Sequence, residues 1–218
     1  MTVGSVIDDR NRNSEYRPWL PRARADISPY YWDRYRKYLA SRGLSGGVLS
    51  TLDEVTDRIL GLLENPDKPG PWDRRGMVVG HVQSGKTANY TGLVCKAADA
   101  GYRLIIVIAG VHNSLRNQTQ QRMDEGFVGR DSARLLAKKD GKRRAIGVGR
   151  FDQSRHPVTF TNSLRDFNRA TATSIGVSLR DLNEPAVLVI KKNASTLKHL
   201  LAWLREYRSG ASETIDLP

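Results

Sequence analysis

Cysteine is almost absent: Cys95 is the only one in 218 residues. A single thiol excludes an internal disulfide and a cysteine-based zinc cluster. Long apolar runs are missing as well. The longest, Leu104 to Val111 (LIIVIAGV), is far too short to span a bilayer. The N-terminal segment carries Asp8, Asp9, Arg10 and Arg12 where a secretory signal needs an apolar stretch. A cytoplasmic protein is expected. His81, His112, His156 and His199 stand about 30 to 45 residues apart, so none forms a local metal-ligand pair. There is no G-x-S-x-G nucleophile elbow, because Val82 stands where Ser84 would need the first glycine. No compact cluster of acids and a lysine suits a two-metal nuclease.

Negative charge is scarce: 23 Asp and Glu face 35 Lys and Arg, a net charge of +12. The excess is uneven, since residues 111–170 hold 13 basic and 6 acidic side chains and so supply +7 of it. Such a field attracts phosphate polymers or anionic surfaces, or is simply a solvated basic face. Apolar residues at 39% are enough for a core and argue against general disorder.

Residues 1–27 are polar, Arg-rich and Pro-punctuated, and predict a loosely packed arm. Ser28-Pro29 predicts a helix start with Ser28 as cap, carrying Tyr31, Tyr35, Tyr38 and Leu39 on one face and ending at Gly43. A second helix is expected from Ser50 or Thr51, where Thr51 and Glu54 have capping-box spacing; its stripe is Leu52, Val55, Ile59, Leu62 and Leu63. Beyond the breaker segment 65–76, short apolar runs alternate with helical stretches. Met77–Val79, Leu104–Ala109, Val158–Thr161 and Ala186–Ile190 are the candidate strands. Thr87–Ala100 is the helix between the first two, stopped by Gly101. This order predicts parallel strands covered on both faces.

Gly80-His81-Val82-Gln83-Ser84-Gly85-Lys86-Thr87 fits G-x-x-x-x-G-K-[ST], the Walker A phosphate cradle, at every fixed position. The glycines let backbone N–H groups and a helix N-terminus face phosphate oxygens. Lys86 would reach the β- and γ-phosphates of ATP, and the Thr87 hydroxyl would ligate Mg²⁺. A hydrolysing P-loop enzyme also needs an acidic residue ending a second strand. Here Ala186–Ile190 runs into Lys191-Lys192-Asn193, Asp152 and Asp181 follow no apolar run, and Asp216 stands two residues before Pro218. Half an ATPase site is therefore expected, with no catalytic residue in this chain.

The string WDRRGMVVGHVQSGKTANYTGLVCKAADAGYRLIIVIAGVHNSLRNQTQQRMDEGFVGRDS resembles the N-terminal region of bacterial proteins described as endonucleases of the Z-one domain family. GVGRFD, PVTFT, DFN and EPAVLVIKKNASTLKHLLAWL extend the resemblance over roughly residues 30–218. It implies a superfamily-two helicase-like ATPase followed by a Z-one domain, acting on DNA in restriction-modification or phage defence beside partner proteins of a defence operon. Pro218 precedes that family's DEAD-like acidic motif and its Z-one domain. The resemblance thus implies ATP binding and a DNA-related role for the full-length protein, and neither hydrolysis nor cleavage by this piece.

Carried over by position, Gly80 to Thr87 match the first helicase motif. Arg116, Asn117 and Gln118 follow the second strand, where helicase lobes touch the nucleic-acid backbone; the alternative is a solvent-facing helix. Lys192, Asn193, Ser195 and Thr196 match another strand-contacting motif, or else Asn193 or Ser195 caps a helix. Lys138, Lys139, Lys142, Arg143 and Arg144 flank an Asp-Gly turn, as a basic hairpin tip on DNA or a solvated loop. Trp72 would stack on adenine or pack in the core.

The expected fold is α/β: an incomplete P-loop helicase lobe with a parallel sheet at 76–218, after an N-terminal arm and helices at 1–75. An incomplete sheet would leave an apolar edge uncovered and self-associate. The rival expectation is a non-hydrolysing basic nucleic-acid-binding module.

Overall fold

Helix α2 (Tyr30–Ser41) buries Tyr31, Tyr35 and Leu39 of the face that its spacing predicts; Tyr38 is only half-buried, and Trp32 and Arg34 are buried in addition. Its start falls where expected, but the cap does not. Ser28 makes no side-chain cap; the Asp99 carboxylate accepts the backbone N–H of Tyr31 at 2.8 Å and of Trp32 at 2.9 Å. Asp99 closes α4 (Lys86–Asp99), so one helix's last residue satisfies the orphan donors of another.

The computed structural model describes residues 16–79, 85–135, 144–174, 178–180 and 182–209. Together they form an α/β protein with a small three-stranded parallel sheet. The chain divides into two units, one up to Gly101 and one from Tyr102.

In the first unit α4 packs against α2 and α3 (Gly46–Leu62). Gly92 allows the approach: a Cβ there would stand 3.1 Å from the Trp32 ring and 3.4 Å from Thr56. Helix α3 begins earlier than the Thr51 capping box predicts. Ser45 is its cap, accepting from Val48 N–H at 3.5 Å, and Thr51 lies inside, its hydroxyl donating to the Gly47 carbonyl at 3.0 Å. Two glycines in its first turn hid that start. Nor are residues 16–24 loose. The Tyr16 hydroxyl donates to the Gly61 carbonyl, Trp19 Nε1 donates to the Leu63 carbonyl at 2.8 Å, and α1 (Leu20–Ala23) lies on α3. Lys96 is buried on α4 with its ammonium 2.5 Å from Asp57 and against Asp53, both on α3, and 4.5 Å from the Trp32 ring centre.

The second unit holds the sheet, in the order β1 (Leu104–Ala109), β3 (Ala186–Lys191), β2 (Val158–Thr159), all parallel. Leu104 pairs with Ala186 and Ala109 with Lys191. Central β3 is buried along its apolar length, as a continuous apolar run requires; β1 is only partly covered. Ala186, Leu188 and Ile190 meet Leu200, Trp203 and Leu204 of α8 (Ala194–Ser209), with Phe160 and Phe167 against the indole at ring-centre separations of 5.3 and 5.4 Å. Helix α5 (Asn113–Met123) lies against β1 and β3 and contributes nothing to that cluster. Topology gives the reason. A right-handed crossover from β1 past β3 to β2, and a right-handed return to β3 through α7 (Arg169–Ser174), must use opposite faces.

Beneath α5 runs a buried polar network. Asp124, 2% exposed, accepts from Gln120 Nε2 at 2.9 Å and from the N–H and hydroxyl of Ser132, which opens α6 (Ser132–Leu135), at 3.0 and 2.5 Å. The Thr161 hydroxyl donates to Gln120 Oε1 at 2.7 Å and accepts the Val189 N–H at 2.8 Å. Burial, only partly offset by the Ser132 and Gln120 donors, pushes the Asp124 carboxyl up to about 6. Asp124 also opens a π-helical turn (Asp124–Val128) that leads to an antiparallel bridge, Arg130 to Ala145. Gly149 crosses Gly129 so closely there that any Cβ would strike the Gly129 carbonyl. The two ends of segment 131–144 are thereby held side by side.

Candidate functional site

Gly85 stands at φ +78, ψ 22, a left-handed geometry that glycine adopts without strain, and it heads α4 directly. Gly85 as N-cap has no side chain to cap α4, and no acid lies in the first turn. Lys86 is exposed and Thr87 half-buried. A left-handed glycine at a helix start and an exposed lysine fit a phosphate chain. For a magnesium ion they offer the Thr87 hydroxyl. Gly80, His81, Val82, Gln83 and Ser84 lie outside the described residues. The expected strand Met77–Val79 is corrected: these residues pair with no strand among those described, and they are 86%, 53% and 82% exposed. Three apolar residues between Gly76 and Gly80 carry no periodicity, so composition alone suggested a strand. Trp72 is half-buried.

In the second unit, a cleft of about 530 Å³ opens at the carboxyl end of the sheet. Its lining comes from α5 (Asn113, Arg116, Asn117), the segment 164–170 and Lys191 at the end of β3. Two of the predicted backbone-contacting residues are here. Arg116 is buried, donating to the Asn162 carbonyl at 2.8 Å, to the Ser163 carbonyl at 3.2 Å and to the Asn117 side chain. Burial lowers the Arg116 pKa, against the pull of Asp166 and Asp124. Gln118 is exposed and does not line the cleft, since two residues along a helix turn a side chain to the far side. Asn193 caps α8, its Oδ1 accepting from Ser195 N–H at 2.9 Å and Thr196 N–H at 3.2 Å; Lys192 and Ser195 are exposed.

Asp166 joins the two predicted groups. It lines the cleft beside Arg116 and Asn117 and accepts from Lys191 N–H at 3.3 Å and the Thr196 hydroxyl at 3.4 Å, with Lys191 Nζ 3.9 Å away. Asn113, Arg165, Asp166, Asn168 and Lys191 were not foreseen. The available signal was position: the Asn-, Arg- and Asp-bearing segment Asn162–Asn168 follows β2, and ligands of parallel sheets gather at carboxyl ends where successive helices leave on opposite faces.

Arg144 is exposed, while Lys138, Lys139, Lys142 and Arg143 lie outside the described residues, as do Asp181 and Asp216. Among the described residues no three His, Cys, Asp or Glu side chains are grouped to hold a metal ion, and no helix is long and apolar enough to cross a membrane. No protein-family model matches the chain, and no curated protein or solved structure matches it either.

Proposed function

We propose that this chain is the ATP-binding, helicase-like part of a cytoplasmic DNA-directed ATPase of the Z-one endonuclease type, serving restriction or phage defence. The observation that carries the ATP part is Gly85, left-handed at the head of a fourteen-residue helix with Lys86 and Thr87 in its first turn. A parallel sheet whose helices leave on both faces supports the P-loop lobe. Gly80 to Thr87 would cradle the phosphates, with Lys86 reaching toward the β- and γ-phosphates and Thr87 offering its hydroxyl to Mg²⁺. The bound ion would neutralise phosphate charge. No described strand ends in a carboxylate, which supports a reading in which the chain would bind ATP without hydrolysing it.

The test is titration of a fluorescent ATP analogue with Mg²⁺ into residues 1–218 and into Lys86→Ala. Saturable binding that weakens at least ten-fold in the variant is expected. Equal binding by both, or none by a folded sample, removes the cradle from the reading. The basic cleft of the second unit favours a rival, a nucleic-acid-binding module whose DNA affinity is strongly salt-dependent and indifferent to Lys86→Ala.

A further inference from the structure

We infer that α3 is the frame that positions the phosphate cradle, with Lys96 and Arg74 as its two anchors, and that ATP affinity depends on both although each stands outside the motif. This rests on the ATP-binding reading above and names positioning residues for that same site.

Downstream of the cradle the anchor is Lys96. It stands ten residues beyond Lys86 on the same helix, about 15 Å along the axis of α4. Its ammonium, on a side chain 3% exposed, donates to the Asp53 carbonyl at 2.7 Å and meets the carboxylates of Asp53 and Asp57, the latter at 2.5 Å. Asp53 and Asp57 are one turn apart on α3, so a single face of that helix receives the charge. An ammonium taken out of water tolerates little displacement, since any shift leaves it poorly paired where solvent cannot reach it. Gly92, one turn nearer the cradle, lets α4 lie close to Trp32 and Thr56. Sliding or rotation of α4 along α3 is thereby opposed, and Lys86 and Thr87 ride at the head of the helix so held.

Upstream the anchor is Arg74. Glu64, 5% exposed, follows directly on Leu63, the C-cap of α3. It accepts from Arg74 at 2.9 Å and from Lys68 at 3.2 Å. The Arg74 guanidinium also lies over the Tyr16 ring, 4.4 Å from its centre, and the Tyr16 hydroxyl donates to the Gly61 carbonyl of α3. The chain leading into the cradle is thus pinned six residues before Gly80, on the helix that also holds α4. A phosphate chain has to meet backbone N–H groups, a lysine and a hydroxyl at once, and groups held in place beforehand cost less to order on binding.

The experiment is titration of a fluorescent ATP analogue with Mg²⁺ into the whole chain and its variants, with urea midpoints showing that each sample is folded. Lys96→Met and Arg74→Met should each weaken binding by about five-fold or more. Asp57→Asn, which removes one charge and keeps the shape, should act in the same direction and serves if Lys96→Met does not fold. Arg74→Lys keeps a cation for Glu64 and should restore most of the affinity. Leu39→Ala opens a cavity on α2, belongs to neither ion pair, and should lower the midpoint with affinity unchanged. Wild-type affinity in the folded anchor variants would overturn the frame and leave ATP binding intact. A loss in Leu39→Ala as large as theirs would reduce the effect to general stability and overturn it too. Arg74→Lys as weak as Arg74→Met would overturn the upstream anchor. No binding by the folded wild type would bring down the ATP-binding reading and this inference with it.

Discussion

Asp124 is a carboxyl group held where its charge is unwelcome. Its ordinary value is 3.8 and its folded value about 6, because burial outweighs the donors from Ser132 and Gln120. Between those values the folded chain keeps a proton that the unfolded chain has released. Stability therefore falls as pH rises from about 4 to about 6 and levels off above, with a share for this one group of up to about 3 kcal/mol. Asp124→Asn has no proton to lose. Relative to wild type it should gain stability across that window, and urea midpoints at pH 4.5 and pH 7 measure the change; a difference that does not vary with pH would refute it. Cys95 is a second buried titratable group, its thiol pushed up by burial and by Asp99. None of this was visible from composition, since burial and neighbours are set by packing.

At the scale of elements, local signals placed several segments well. Leu104–Ala109 is β1, Ala186–Ile190 is the apolar part of β3, and the predicted Thr87–Ala100 helix is α4, ending before Gly101. These segments are apolar or periodic over enough residues for burial to have one outcome. What caps them was not legible. Asp99 reaches the start of α2 from 67 and 68 residues away, and no local rule finds such a partner. Asp99→Ala leaves two N–H donors without their carboxylate and should cost about 1–2 kcal/mol in urea unfolding. Asp99→Asn should lie between, keeping an acceptor but losing the charge. A cost below about 0.3 kcal/mol for the alanine variant would show that water caps α2 equally well.

For the whole molecule, an open strand edge competes with net charge. Among the described residues β1 pairs on one edge only, with Ile108 53% exposed and Val111 and Leu115 also exposed nearby. An uncharged, proline-free edge strand is a template for another copy. The charge of +12 opposes this, and salt screens that repulsion. Self-association should therefore increase with ionic strength in sedimentation experiments and be suppressed by Ile108→Lys. A monomer at every salt concentration would sink the idea.

By itself the sequence determined the elements of a parallel sheet, the Gly85-Lys86-Thr87 helix start and the concentration of positive charge, because each depends on residues adjacent in the chain or one turn apart. Tertiary structure decided the rest. It left Met77–Val79 exposed and without a strand partner among the described residues, and it buried Arg116 in a wall. It also set Arg165, Asp166 and Lys191 around one cleft. Those outcomes depend on which distant backbone groups need a partner and on which face each crossover takes, and neither is encoded within a single window of sequence.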